Sequence, residues 1–135
     1  MTPSDLIKAY SSEPINNHVM DNFTVCETQD NSVCWDTLTI YLKIDKEGII
    51  TDYSHHGKPQ MFTLAAASML AEVIIWEHIE TVLRRGGEYM KNDLWLAVSP
   101  RRQRSTVTAL LAVHHAIMKY QWHEDTETYE EIIGY

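Results

Sequence analysis

Residues 34–44 constrain the fold more than any other stretch of the chain. From Cys34 to Ile44, Leu38, Ile40, Leu42 and Ile44 alternate with Thr37, Thr39, Tyr41 and Lys43. A period of two puts the apolar set on one face of a β-strand and the polar set on the other. Asp45-Lys46-Glu47-Gly48 then supplies turn residues, and Ile49 to Ser54 resumes with β-branched character, which predicts a hairpin. Asn22 to Thr28 also alternates and predicts a further strand. His55-His56-Gly57-Lys58-Pro59 interrupts the pattern and reads as a polar loop.

At Gln60 the period changes to that of a helix. Phe62, Ala65, Ala66, Met69, Val73, Trp76, Ile79, Val82 and Leu83 form a broad apolar stripe to Leu83, opposite Glu72, Glu77 and Glu80. Arg84-Arg85 suits the C-terminal dipole and Gly86-Gly87 stops the helix. Asn92 to Val98 is a short apolar segment closed by Ser99-Pro100. Ser105 to Trp122 is the last long helix, with Val107, Leu110, Leu111, His114, Ile117 and Met118 on one face. A short helix over Ser4 to Tyr10 precedes the strands, and an acidic stretch from His123 to Glu131 reads as a solvated tail or short surface helix. Strands first and helices afterwards, with no repeat or linker, predict one α+β domain over residues 1–135: a three-stranded antiparallel sheet with helices on one face.

Composition narrows the function. The 135 residues, 44% of them apolar, suffice for one core. A net charge of −8 disfavours a nucleic-acid or anionic-membrane surface. No run is apolar and long enough to span a bilayer, and Met1 to Glu13 does not have the form of a secretory signal, so a cytosolic address is expected. The two cysteines, Cys26 and Cys34, are too few for a disulfide scaffold and too far apart for CxxC. Phosphate-loop and nucleophile-elbow motifs are absent.

Four groups of residues bear on chemistry. Cys34 and Asp36, at i and i+2 of a strand, point to one face and together can reach one metal ion, although a strand-end Cys is more often a small buried hydrophobe. The loop histidines His55 and His56 can supply a ligand or a proton-transfer group, or simply be exposed. His114 falls on an apolar helix face and reads as a core histidine, with His115 facing outward. Arg101, Arg102 and Arg104, just ahead of a helix start, suit an anion or an acidic partner, or a solvated loop that balances the acidic tail.

From Asn31 through Cys34 and Asp36 to Gly48 and Asp52, the chain resembles the IscU/NifU N-terminal iron–sulfur scaffold family. That family carries N-P-x-C-G-D, an alternating strand, a D-x-x-G-I-I turn and a closing Asp. Its second cysteine falls, without a gap, on Gln60, and Ala65-Ala-Ala-Ser68-Met69 resembles the following A-S-S-S-[LM] run. Its L-P-P-V-K-x-H-C segment falls on Val98 to Ser105, which keeps Pro100, has Arg102 for Lys, Arg104 for the histidine and Ser105 for the third cysteine. Ala112 to Tyr120 resembles A-I-K-A-A-I-A-D-Y. The likeness covers residues 10–120.

The resemblance implies a non-enzymatic scaffold for iron–sulfur cluster assembly that carries a [2Fe–2S] cluster, or Zn²⁺ in its place, on three thiolates helped by Asp or His. This chain keeps Cys34 and Asp36 and has Gln60, Arg104 and Ser105 at the other positions. Neutral amide and hydroxyl oxygens are poor ligands for cluster iron, and a guanidinium is none. Weak Fe or Zn binding, completed by His55, His56 or a second subunit, is therefore one expectation. A single-Cys sulfur carrier, and a partner-binding module using Pro100, Arg101 and Arg102, are the others. By the same resemblance the partners are a cysteine desulfurase or an Hsp70-type chaperone, with a homo-oligomer also open.

Overall fold

The expected hairpin is the centre of the computed structural model, which describes residues 3–31, 35–94, 100–122 and 127–133. Strand β2 (Asp36–Ile44) pairs antiparallel with β3 (Ile50–Lys58), Tyr41 facing Ser54 and Lys43 facing Asp52. On the other side β2 pairs antiparallel with β1 (Val25–Asn31), from Val25 opposite Leu42 to Asn31 opposite Asp36. Strand order in the sheet is thus β1-β2-β3. The alternation sorts as expected: Leu38, Ile40, Leu42 and Ile44 are buried, whereas Thr37 is exposed and Thr39, Tyr41 and Lys43 are half-covered. Full burial of each of those apolar side chains stabilises the fold by about 1.5–3 kcal/mol.

The turn is built by Asp45, whose Oδ1 accepts from the amides of Glu47 and Ile49, both at 2.9 Å. Gly48 closes it at φ +82°, where a Cβ would lie 2.6 Å from the His78 ring. A flanking segment covers the outer edge of β3: Asn17 makes a parallel bridge to His55, Asn16 O accepts from His55 N at 3.0 Å, and Asn16 Nδ2 donates to Tyr53 O at 2.7 Å.

Helix α2 (Met61–Ile74) packs on β3, and α5 (Pro100–Tyr120) packs on β1, β2 and α2. Ala65, Ala66 and Ala67 are fully buried. Helix α1 (Pro3–Ser12), longer than the expected 4–10 at both ends, lies on α2, where Tyr10 OH donates to Glu72 at 2.7 Å. Short helices α3 (Ile79–Leu83), α4 (Gly87–Leu94) and α6 (Tyr129–Ile133) complete the chain.

Two expectations are corrected, and a third is decided between its alternatives. The helix expected from Gln60 to Leu83 breaks after Ile74. Trp76 takes φ +78° and donates its amide to Ile50 O, while Glu77 O accepts from Ile50 N. Those long-range bonds to β3 override a local apolar period that runs on unbroken. The polar loop at His55 to Pro59 is instead the second half of β3 up to Lys58, because Thr37, Leu38, Thr39 and Ile40 provide a pairing edge. The acidic stretch takes the second of its two expected forms, the short helix α6, although Tyr129 and Ile132 in it are buried.

Candidate functional site

Asp36 opens β2 at the end of the sheet where α2 also begins. Its side chain is buried on the covered face, 1% exposed. Gln60 is the N-cap of α2 and forms no side-chain cap; Asp36 does that work from the sheet. One carboxylate oxygen accepts from the Gln60 amide and the other from Thr63 Oγ1 at 2.7 Å. An acidic group at a helix N-terminus satisfies orphan donors and complements the positive dipole end. Asp36 and Gln60, two of the residues the sequence singles out, are therefore in direct contact, but as helix cap and capped amide.

Across the ladder from Asp36 stands Asn31, fully buried, whose Oδ1 accepts from Arg104 Nε at 3.4 Å. Arg104 and Ser105 lie near the start of α5, and Ser105 is 3% exposed. The Arg104 guanidinium lies 4.2 Å from the centre of the Tyr129 ring, and Nη1 pairs with Glu130 Oε1 at 3.2 Å. Tyr129 OH reaches Thr108 Oγ1 at 3.1 Å and Asp30 O at 3.2 Å. Burial raises the Tyr129 phenol above its ordinary pKa; the Thr108 hydrogen bond and the Arg104 charge act against that rise, and the Asp36 charge adds to it.

The two adjacent histidines part company. His55 faces the covered side opposite Ile40, fully buried, with Nε2 bonded to Ile15 O at 2.8 Å. Its pKa is lowered, first by burial. His56 is exposed and, being next in the strand, points to the other face. Ile40 is four residues along β2 from Asp36, about 13 Å at strand spacing. The register therefore does not bring His55 or His56 to Asp36. His114 is the core histidine expected, with Nδ1 at 2.6 Å from Glu127 Oε1 and Nε2 at 3.0 Å from Val82 O. His115, expected to face outward, is half-buried with Nε2 2.8 Å from Glu127 O. Pro100 starts α5. Cys34 and the side chains of Arg101 and Arg102 lie outside the described residues. Cys26 is half-buried, and its carbonyl accepts from Lys119 Nζ at 3.1 Å.

Residues 4–127 match the model of the NifU-like N-terminal domain family. The chain belongs to this family. The iron–sulfur cluster assembly scaffold protein IscU of Thermotoga maritima is 32% identical to this NifU-like domain over 82 residues, 61% of this chain and 57% of that protein. The fold is shared with the N-terminal part of a nitrogen-fixing NifU-like protein from Brucella abortus, with TM-score 0.71, 20% identity, and coverage of 90% of this chain and 99% of that one. It is shared also with a candidate iron–sulfur scaffold for the SUF system from Fervidobacterium islandicum AW-1, with TM-score 0.74, 19% identity, and coverage of 84% and 94%.

Chemistry decides how well this NifU-like domain suits a cluster. Among the described residues no three His, Cys, Asp or Glu side chains stand close enough together to hold a metal ion. The described donors near Asp36 are an amide side chain, a hydroxyl and a guanidinium, and these do not fit a [2Fe–2S] cluster. Sequence reasoning missed Thr63, Tyr129 and Glu130. Thr63 carries no capping signature in the sequence, because its hydroxyl donates to a carboxylate on the sheet; the spacing of Tyr129 and Ile132 is the faint mark of a buried helix face.

Proposed function

We propose that this chain serves iron–sulfur cluster assembly as a scaffold-family protein with an incomplete ligand set. It binds Fe²⁺ or Zn²⁺ weakly through Cys34 and Asp36, and a partner or a second copy supplies the remaining ligands. The observation that supports this most is the state of Asp36: both oxygens already accept hydrogen bonds from α2, so the carboxylate retains only part of its capacity for a cation. Gln60 stands beside it, and the Arg104 charge lies across Asn31. A cysteine desulfurase as sulfur donor and an Hsp70-type chaperone as release factor are the partner classes, and the protein acts in the cytosol without catalysing a reaction of its own. The name of the Thermotoga relative, an assembly scaffold, favours the same pathway.

Reconstitution tests it. The purified chain, given ferrous iron, sulfide and a desulfurase, should develop no stable thiolate–iron absorbance at about 300–500 nm. It should bind Zn²⁺ weakly, and the binding should disappear in Cys34→Ser. A stoichiometric, stable cluster on the monomer would refute the incomplete-site reading, and metal binding indifferent to Cys34 would refute the ligand assignment.

A second reading, a partner-binding module without metal chemistry, is favoured by the position of Arg104 near the Asp36 end, since a guanidinium ligates no metal. Binding to a desulfurase or chaperone that survives Cys34→Ser and falls in Arg101→Ala/Arg102→Ala would select it.

A further inference from the structure

Among the described residues four non-glycine residues take a positive φ, and three of them are tryptophans: Trp35, Trp76 and Trp122. A left-handed backbone disfavours any residue with a Cβ, and where a helix end requires it the residue is usually glycine. Burial does not compensate these three, which are 85%, 72% and 95% exposed. Trp35 adjoins Asp36, whereas the other two share the opposite end of the sheet. Trp76 follows α2 and donates its amide to Ile50 O, and Ile50 pairs with Ile44 at the far end of β2. Trp122 follows α5, where Lys119 Nζ reaches Cys26 O near the start of β1 and Gln121 Nε2 donates to Glu80 Oε1 at 2.8 Å. Helix α2 starts at Asp36 and α5 starts beside Asn31, so both run away from that end and finish at this one. Each is followed, two residues on, by an exposed indole on a strained backbone.

The electrostatics of this end fit a cation. Two helices present their C-terminal carbonyls here, the negative ends of their dipoles. Glu47 and Glu80 are exposed beside them, and Asp45 lies in the same turn as Glu47. Of the bases nearby, Arg85 pairs with Glu77 and Lys119 with Glu27, while Lys46 stands between Asp45 and Glu47 in the chain and Arg84 caps the other end of α3. An indole face in such a field attracts a guanidinium or ammonium group. We infer that Trp76 and Trp122 form a docking face for a basic segment of another protein, with Arg or Lys side chains lying on the two indoles. A second copy of this chain is a poor occupant, because joining two such ends opposes like charges and like helix dipoles. At a net charge of −8, nucleic acid and anionic membrane are poorer still. The length of α2, about 20 Å, separates this face from Asp36, so the inference does not rest on metal binding or on any reading of that end.

The test uses the full chain and its Trp76→Gly/Trp122→Gly variant. Glycine suits both backbones, so the double variant should melt no lower than wild type, which removes misfolding as a cause of lost binding. The probe is a short dye-labelled peptide of alternating Arg and Leu, with Glu in place of Arg as its control, followed by fluorescence anisotropy at physiological salt. Wild type should bind the basic peptide roughly tenfold more tightly than the double variant does, and should ignore the acidic one. Equal binding by the two proteins, no binding by either, or equal binding of the two peptides would overturn the inference. So would a lower melting temperature in the double variant, because the indoles would then be part of the packing. Phosphatidylcholine vesicles form the last arm. Wild type that sediments with them, while the double variant does not, would make the face a membrane contact and overturn the protein partner; wild type left in the supernatant supports it.

Discussion

Replacing Asp36 by Ala takes away the acceptor of two donors at the start of α2, the Gln60 amide and the Thr63 hydroxyl. Thr63 is fully buried, so water does not readily replace the carboxylate there. A buried donor left unsatisfied costs about 1–3 kcal/mol, and loss of a helix N-cap about 0.5–2 kcal/mol. The two descriptions overlap, because the Gln60 amide belongs to both. A total of about 2–4 kcal/mol follows for Asp36→Ala. Asp36→Asn keeps one carbonyl acceptor and should lose about half as much. For a domain of this size 1 kcal/mol moves the melting temperature by about 3–5 °C, so Asp36→Ala should melt about 6–20 °C lower in the metal-free protein. Circular dichroism melts in the presence of a chelator measure this directly. Thr63→Val in both backgrounds completes a cycle whose coupling should be about 1 kcal/mol. If Asp36→Ala melts within 1 °C of wild type without metal, the carboxylate is a free ligand and not the cap of α2. The reasoning about the weakened site would then fail with it.

Other expectations concern single positions. His55 has a lowered pKa in the folded state, so on acidification the unfolded chain takes up the proton first. Its contribution is fully present above the ordinary imidazole value of 6.5 and is lost as pH falls below it, and urea melts at stepped pH should show a shallower acid decline for His55→Gln. Trp76 is 72% exposed at φ +78°, a conformation that suits glycine, so Trp76→Gly should raise stability by about 0.5–1 kcal/mol in a chemical melt. Gly57→Ala should cost at least about 2 kcal/mol, because at φ +151° its Cβ would lie 2.4 Å from Thr37 O; a melt like wild type would mean the β2–β3 register is wrong at that end.

The hairpin was legible because its two faces differ in polarity, and the turn because Asp45 and Gly48 have chemistry that only a turn uses. The break at Trp76 was not, since the bonds that make it run to Ile50, a residue 26 positions away in the chain. His55 and His56 carry loop-like side chains, and only the pairing offered by Ile40 and Thr39 makes them a strand. At the site, the pairing of Cys34 with Asp36 assumed a strand from Cys34 onward, whereas β2 begins at Asp36 and Trp35 before it takes φ +57°, so the same-face argument does not reach back to Cys34. Residue types could not say that Asp36 caps α2, because that depends on where the helix starts relative to the sheet. Arg104 was readable as a basic residue in a ligand's place, but its partners lie on β1 and on a C-terminal segment whose acidic composition hides two buried side chains.

The segment beside β3 has a further effect on the life of the molecule in a crowded solution. Small open sheets aggregate by adding a neighbour's strand at an unpaired edge. Here Asn16 and Asn17 occupy the outer edge of β3. On β1, the carbonyls of Cys26 and Asp30 are engaged by the Lys119 and Tyr129 side chains. Strand-by-strand polymerisation therefore has to begin by peeling off a covering group, and the asparagines are one such guard: weakening Asn16 should raise self-association, read by light scattering, at temperatures below the melt.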